Sequence, residues 1–189
     1  MQQQKALFLD RDGVININHG YVFEPEKLDF IDGIFDLITR FVNAGYIPII
    51  VTNQSGIVRG YFTEQQFFDL MHYIQQQFDQ HKLPKIPVYF CPHHPNFVDN
   101  DRLNDCYCRK PKPGMIIEAS TQLNIDLSQS VFVGDNLSDM LAAKRANVRR
   151  KILFDPQRQQ AHELTQSEYA NELSARELES VLTLDSIEV

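Results

Sequence analysis

Three short apolar runs in this chain each stop at a polar cluster, and that recurrence restricts the fold more than any other feature. Ala6 to Leu9 ends at Asp10-Arg11-Asp12-Gly13, Tyr46 to Val51 at Thr52-Asn53-Gln54-Ser55, and Val131 to Val133 at Gly134-Asp135-Asn136-Leu137-Ser138-Asp139. Runs of this length suit strands buried on both faces. Val88 to Phe90 and Lys151 to Phe154 read as two further strands. Helical patterns lie between them. Ile34, Leu37, Ile38, Phe41 and Val42 recur at helical spacing, with Gly45 placed as a C-terminal glycine. Thr63-Glu64-Gln65-Gln66 is a capping box, opening a helix with Phe67, Leu70, Met71, Ile74 and Phe78 on one face. Pro113 suits the first turn of a helix carrying Met115, Ile116, Ala119 and Leu123, and Asp139 to Ala146 is a short helix. Pro48 argues against the centre of a sheet, because it cannot donate to a ladder.

Strands that alternate with helices of ~10–15 residues imply βαβ units, hence an α/β fold with a parallel sheet. In such a sheet ligands bind beyond the carboxyl ends of the strands. All three polar clusters are therefore expected on one edge. The 189 residues favour one domain. The net charge of −7 argues against a nucleic-acid binder, but a few local cations and a metal are enough for an anionic substrate. No run approaches the ~18 apolar residues of a membrane span, and the first residues leave no room for the apolar core of a signal peptide. The expectation is a cytoplasmic protein, a monomer, with no membrane or nucleic-acid partner.

The clusters carry a specific chemistry. Asp10 is a carboxylate able to attack phosphorus and form an acyl phosphate. Asp12 is placed to protonate the leaving oxygen and then activate water. Crowded carboxylates need a cation to stay ionised, and magnesium prefers such oxygens, with Asp10 and Asp135 as side-chain ligands. Thr52 offers a hydroxyl, and Lys110 a fixed charge, to a transferring phosphoryl group. Asp12-Gly13 alone is no more than a turn signal; the ordered set at strand ends is what points to a site.

That ordered set resembles the haloacid dehalogenase superfamily. Phe8-Leu9-Asp10-Arg11-Asp12-Gly13 is similar to its first motif, Val51-Thr52-Asn53 to its second, Lys110 to its third, and Gly134-Asp135 to Asp139 to its fourth. The resemblance covers residues 5 to about 155. It implies a Rossmann-like three-layer core, Asp10 as nucleophile, Asp12 as acid/base, and magnesium held by Asp10, Asp135 and the Asp12 backbone carbonyl. Only 39 residues separate Asp12 from Thr52, and 57 separate Thr52 from Lys110. Neither interval holds an inserted domain of ~50 residues beyond the core, so the enzyme is expected to be capless, with an open site shaped by short loops.

All three cysteines fall close together. Cys91-Pro92-His93-His94 and Cys106-Tyr107-Cys108 supply three thiolates and an imidazole, enough for tetrahedral structural zinc. Spacing alone admits His93 or His94. The segment resembles the bacterial D-glycero-D-manno-heptose 1,7-bisphosphate phosphatases and related histidinol-phosphatase domains, and that resemblance selects His93. It also implies substrate contacts from Asn18, His19, Gly20 and Tyr21, from Thr52 with Asn53, Gln54 and Ser55, and from Arg109 and Asn136, with Lys110 steadying the phosphoryl group. Two positions depart from the family: Asn18 stands where aspartate is frequent, and Asn136 where heptose enzymes commonly have lysine. The expectation is a single domain over residues 1–189, with a core of about 5–155, a zinc loop at 91–108 and a polar tail over about 156–189 in which Ser174 to Glu177 caps one more helix. The expected activity is release of one phosphate from a small metabolite, foremost heptose 1,7-bisphosphate. Rival readings are a histidinol-phosphate or other sugar-phosphate phosphatase and a silent binding protein.

Overall fold

A computed structural model describes residues 3–96 and 106–189. Six parallel strands form one sheet in the order β3-β2-β1-β4-β5-β6. They are β1 (Lys5–Leu9), β2 (Tyr46–Asn53), β3 (Val88–Cys91), β4 (Val131–Gly134), β5 (Arg150–Phe154) and β6 (Glu179–Val181). The helices are α1 (Ile34–Asn43), α2 (Glu64–Gln80), α3 (Gly114–Leu123), α4 (Leu137–Arg145) and α5 (Gln159–Glu163). No helix among the described residues is long and apolar enough to cross a membrane.

Strand alternation divides the core in two. Leu7 and Leu9 face one layer with Phe41 of α1 and Phe67, Ile74 and Phe78 of α2. Ala6 and Phe8 face the other with Ile116 of α3 and Leu141 of α4. This is the three-layer α/β arrangement expected from the alternating pattern. The chain winds from β1 outward through β2 to β3, then returns to β4 on the other side of β1. The crevice between β1 and β4 is the switch point at which such sheets place ligands.

Pro48 sits inside β2, paired with Leu7 of β1. The ladder tolerates it because of the stagger with β3. Ile50 N donates to Pro87 O on the β3 side, so position 48, two residues earlier, points its nitrogen the same way. β3 begins only opposite Ile50, and no donor is required at 48.

Several boundaries differ from expectation; β2 runs two residues past Val51, to Asn53. Pro113 is the residue before α3 rather than part of its first turn; the Gly114 N–H turns back to Tyr107 O at 3.1 Å. Helix α4 starts at Leu137, two residues early, because Asn136 caps it: Asn136 Oδ1 accepts from Ser138 N at 3.0 Å, and Asp139 Oδ2 accepts from Asn136 N at 3.1 Å. The C-terminal stretch is not only a polar tail. Ser174 and Glu177 cap a single 3-10 turn, Ala175–Glu177, and β6 then adds to the sheet edge beside β5. Its three residues are too few to show alternation. Arg150 pairs with Glu179 at 2.8 Å across the two strands, while Val181, Leu184 and Ile187 enter the first core layer.

Leu184, 1% exposed, therefore tests whether the C-terminal stretch is structural. Leu184→Ala is expected to cost about 2–4 kcal/mol, seen as a Tm lower by roughly 5–15 °C in calorimetry, with turnover at 25 °C retained. An unchanged Tm would show that the stretch lies outside the cooperative core.

Candidate active site

The three polar clusters converge at the switch point. Asp10 follows β1 directly, and its N–H donates to Val133 O of β4 at 3.0 Å. Lys110, 3% exposed, reaches it from the loop before α3. The Lys110 ammonium donates to Asp10 Oδ1 at 2.6 Å and to Val51 O at 2.8 Å, and lies 2.7 Å from Asp139 Oδ1. The lysine backbone is fixed in turn by Asn53 at the end of β2, whose amide accepts from Lys110 N and donates to Lys110 O, both at 3.1 Å.

Asp12 is gripped separately. The buried Arg11 sets Nη2 against both carboxylate oxygens at 2.6 and 2.7 Å and also donates to Val22 O at 3.0 Å. Gln54 Nε2 donates to Asp12 Oδ2 at 2.9 Å, and Asn16 Nδ2 to Oδ1 at 3.2 Å. The same Gln54 amide donates to Thr52 Oγ1 at 2.9 Å. Gly13 lets the chain pass beneath Asp135. Its φ is +93°, and a Cβ there would come within 1.9 Å of Asp135 Oδ2, so any side chain would displace that carboxylate.

Asp10, Asp135 and Asp139 bring carboxylate oxygens within 4.8 Å of one another. Burial pushes the Asp10 carboxyl up to about 7; Lys110 opposes this and Asp139 adds to it. Burial, then repulsion from Asp10 and Asp139, raises Asp135 to about 8. For Lys110, burial works against the ammonium, but Asp10 and Asp139 outweigh it and hold its pKa above the ordinary lysine range. Both oxygens of Asp139 are engaged, by Lys110 and by the Asn136 N–H. Asp10 and Asp135 thus remain as carboxylates that a hard cation would relieve, and the donor set fits magnesium.

A cavity of about 420 Å³ opens from Asp10 and Asp12. Its lining includes Asn18, Gly20 and Tyr21, then Asn53, Gln54 and Ser55, and also Arg109, Lys110, Asp135 and Asn136. Two residues expected at the substrate stand back from it. His19 pairs its ring with Asp29 at 2.8 Å, and the buried Thr52 hydroxyl is occupied by Gln54. Asn136 lines the cavity while its side-chain oxygen caps α4. Sequence reasoning gave no role to Arg11, and nothing in a local pattern marks a charged residue as buried. It gave none to Asp139 individually, although the Asn136-x-x-Asp139 spacing was a readable capping box.

The cysteine–histidine loop begins where β3 ends. Cys91 Sγ lies 3.0 Å from Cys108 Sγ and 3.7 Å from Cys106 Sγ, and His93 Nδ1 lies 3.3 Å from Cys108 Sγ. These four ligand atoms lie within 4.8 Å of one another, close enough to share one metal ion. Geometry selects His93. His94 turns instead to Arg59, with Nε2 2.5 Å from Nη2. Burial first, then the guanidiniums of Arg59 and Arg109, hold His94 below its usual range. Cys108 is pushed down to about 5, chiefly by its bond with Cys91. The middle of the expected zinc loop, residues 97–105, lies outside the described residues. Arg109 Nη1 donates to His93 O at 3.1 Å, linking the cluster to the cavity.

A family described as HAD-hyrolase-like matches residues 107–180. The D-glycero-beta-D-manno-heptose-1,7-bisphosphate 7-phosphatase of Yersinia pestis is 44% identical over 152 residues, spanning 80% of this chain and 81% of its own length. The D-glycero-alpha-D-manno-heptose-1,7-bisphosphate 7-phosphatase of Campylobacter jejuni is 44% identical over 156 residues, spanning 82% and 86%. The crystal structure of D,D-heptose 1.7-bisphosphate phosphatase from B. bronchiseptica, complexed with magnesium and phosphate, matches with a TM-score of 0.79 at 28% identity, covering 95% of this chain and 93% of that one. The fold is that of a haloacid dehalogenase-like phosphatase. The chain belongs to the family of the heptose-1,7-bisphosphate 7-phosphatases.

The two groups of side chains that could hold a metal ion can each be tested. Carboxyls raised to about 7 and 8 hold protons below those values, and a cation must displace them. Magnesium affinity, measured by calorimetry, is expected to weaken at least about tenfold from pH 8 to pH 6, with proton release on binding. A pH-independent affinity would contradict the clustering of Asp10 and Asp135. Cys106→Ser is expected to lower tightly bound metal from about one zinc per chain to a small fraction. It should also reduce turnover by loosening the Arg109 anchor, although Cys106 touches no substrate. Elemental analysis of protein purified without chelator decides this; wild-type protein without zinc would refute it.

Proposed function

We propose that the chain hydrolyses the 7-phosphate of D-glycero-D-manno-heptose 1,7-bisphosphate through a phospho-aspartate at Asp10. One observation carries this reading beyond the chemistry common to the superfamily. Lys110 holds the nucleophile, while its neighbour Arg109 lines the same cavity with its guanidinium anchored on His93 O. The loop thus offers one cation at the reacting end and another to an anion elsewhere on the substrate, as a bisphosphate requires. The names of the relatives support the same substrate.

In this mechanism an Asp10 oxygen attacks phosphorus in line with the sugar oxygen. The bond to that oxygen breaks, and Asp12 gives it a proton. Asp12, now a carboxylate, takes a proton from water, which attacks the acyl phosphate and releases inorganic phosphate. Arg11, Asn16 and Gln54 hold Asp12 in place. Lys110 fixes Asp10 and balances charge on the transferring group. Magnesium would be held by Asp10, Asp135 and the Asp12 carbonyl, and supplies charge neutralisation when bound. Zinc on Cys91, His93, Cys106 and Cys108 would be structural, with no open position. The proposal is of a cytoplasmic monomer acting on a small anionic sugar.

The test is steady-state kinetics with both anomers of heptose 1,7-bisphosphate and with histidinol phosphate. A heptose bisphosphate is expected to lead by tenfold or more in kcat/KM. Asp10→Asn should lower turnover by more than ~10³-fold with the fold intact, since an amide cannot form the acyl phosphate. A tenfold preference for histidinol phosphate would transfer the assignment to that substrate. Near-normal activity of Asp10→Asn would remove Asp10 as nucleophile.

A further inference from the structure

Arg59 lies on the turn that follows Ser55, closed by Arg59 N donating to Ser55 O at 3.1 Å and Tyr61 N donating to Gly56 O at 2.9 Å. Its side chain leaves this turn and spans two others. Nη1 donates to the Tyr21 hydroxyl at 2.8 Å, and Nη2 lies 2.5 Å from His94 Nε2. Tyr21 belongs to the cavity wall. His94 follows His93 of the cysteine–histidine cluster, whose four ligand atoms could hold a metal ion.

Tyr21 needs such support. It is 43% exposed and has φ +51°, a left-handed conformation unfavourable for a side chain of this size. The local backbone gives it little: His19 N donates to Ile17 O, and Gly20 N to Asn18 Oδ1. Its ring rests on Tyr61, centroids 4.5 Å apart, and the Arg59 guanidinium carbon lies 5.9 Å from its centroid. Tyr61 sits two residues from Arg59 on the same turn. One turn therefore supplies both the ring contact and the hydroxyl's partner.

We propose that Arg59 is a positioning residue for substrate selectivity, clasping Tyr21 to His94 so that the part of the cavity wall formed by Tyr21 keeps one shape. Arg59 itself makes no contact with Asp10, Asp12 or Lys110. Its effect falls on the part of the substrate remote from the scissile phosphate, and a substrate too small to reach the wall does not register it. A planar fork suits this task, because one guanidinium donates in two directions at fixed geometry. The inference rests on the heptose bisphosphate reading for the identity of the large substrate, but the clasp is testable without it.

The test compares wild type, Arg59→Met, Tyr21→Phe and the double variant, with folding checked by thermal melts. Each is assayed on heptose 1,7-bisphosphate and on a small aryl phosphate. Arg59→Met is expected to raise KM for the bisphosphate roughly tenfold while kcat on the aryl phosphate stays within about twofold, the pattern of lost remote binding. The two single variants should be non-additive in kcat/KM, because each breaks the same bond. If wild type rejects the bisphosphate, the proposed function fails, and the cycle is run with the best larger phosphorylated sugar found. Additive effects, or an equal fall in kcat on large and small substrates, would overturn the clasp whatever the substrate is.

Discussion

A single buried ammonium organises this site. Lys110 Nζ meets Asp10 after β1, Val51 O in β2 and Asp139 in α4. Those groups come from both sides of the switch point. An unpaired cation in such surroundings would be costly, so the three elements must close together for the lysine to be accommodated. Asn53 completes the arrangement by fixing the lysine's own backbone. Asp10 is placed by the same contacts that close the fold at this edge.

Asp12 depends on a different set of partners. Arg11 and Gln54 hold Asp12, and they also touch Val22 O and Thr52 Oγ1. Asp12 is thus tied to the 17–24 segment and the end of β2, whereas Asp10 is tied to the Lys110 loop. Two neighbouring carboxylates with separate supports can be given separate tasks, which suits a nucleophile beside a proton donor.

Much of this was legible in the chain. Apolar runs ending at Asp10, Thr52 and Gly134 located the strands and their active edge, because a strand buried on both faces advertises itself by continuous hydrophobicity. The capping box at Thr63 placed the start of α2 correctly. What stayed hidden depends on tertiary contact. Glu179-Ser180-Val181 becomes a strand through pairing with β5 and the Arg150–Glu179 bridge, and three residues carry no period of their own. The burial of Arg11 follows from its position under the 17–24 segment. His93 and His94 are indistinguishable by spacing; only the direction of each ring separates a ligand from a loop contact.

Cys91 closes β3, pairs in register with Asn53 and is fully buried in the second core layer, and its carbonyl accepts from Gln54 N at 2.7 Å. The cluster's first thiol therefore belongs to the sheet, and the other ligand atoms belong to the loop that follows it. A chain with β3 undocked offers its thiols in scattered positions and has no four-point cage. Metal stoichiometry then serves as a folding gauge. A cation held there would favour the docked strand, so metal content and the integrity of the sheet edge should rise and fall together.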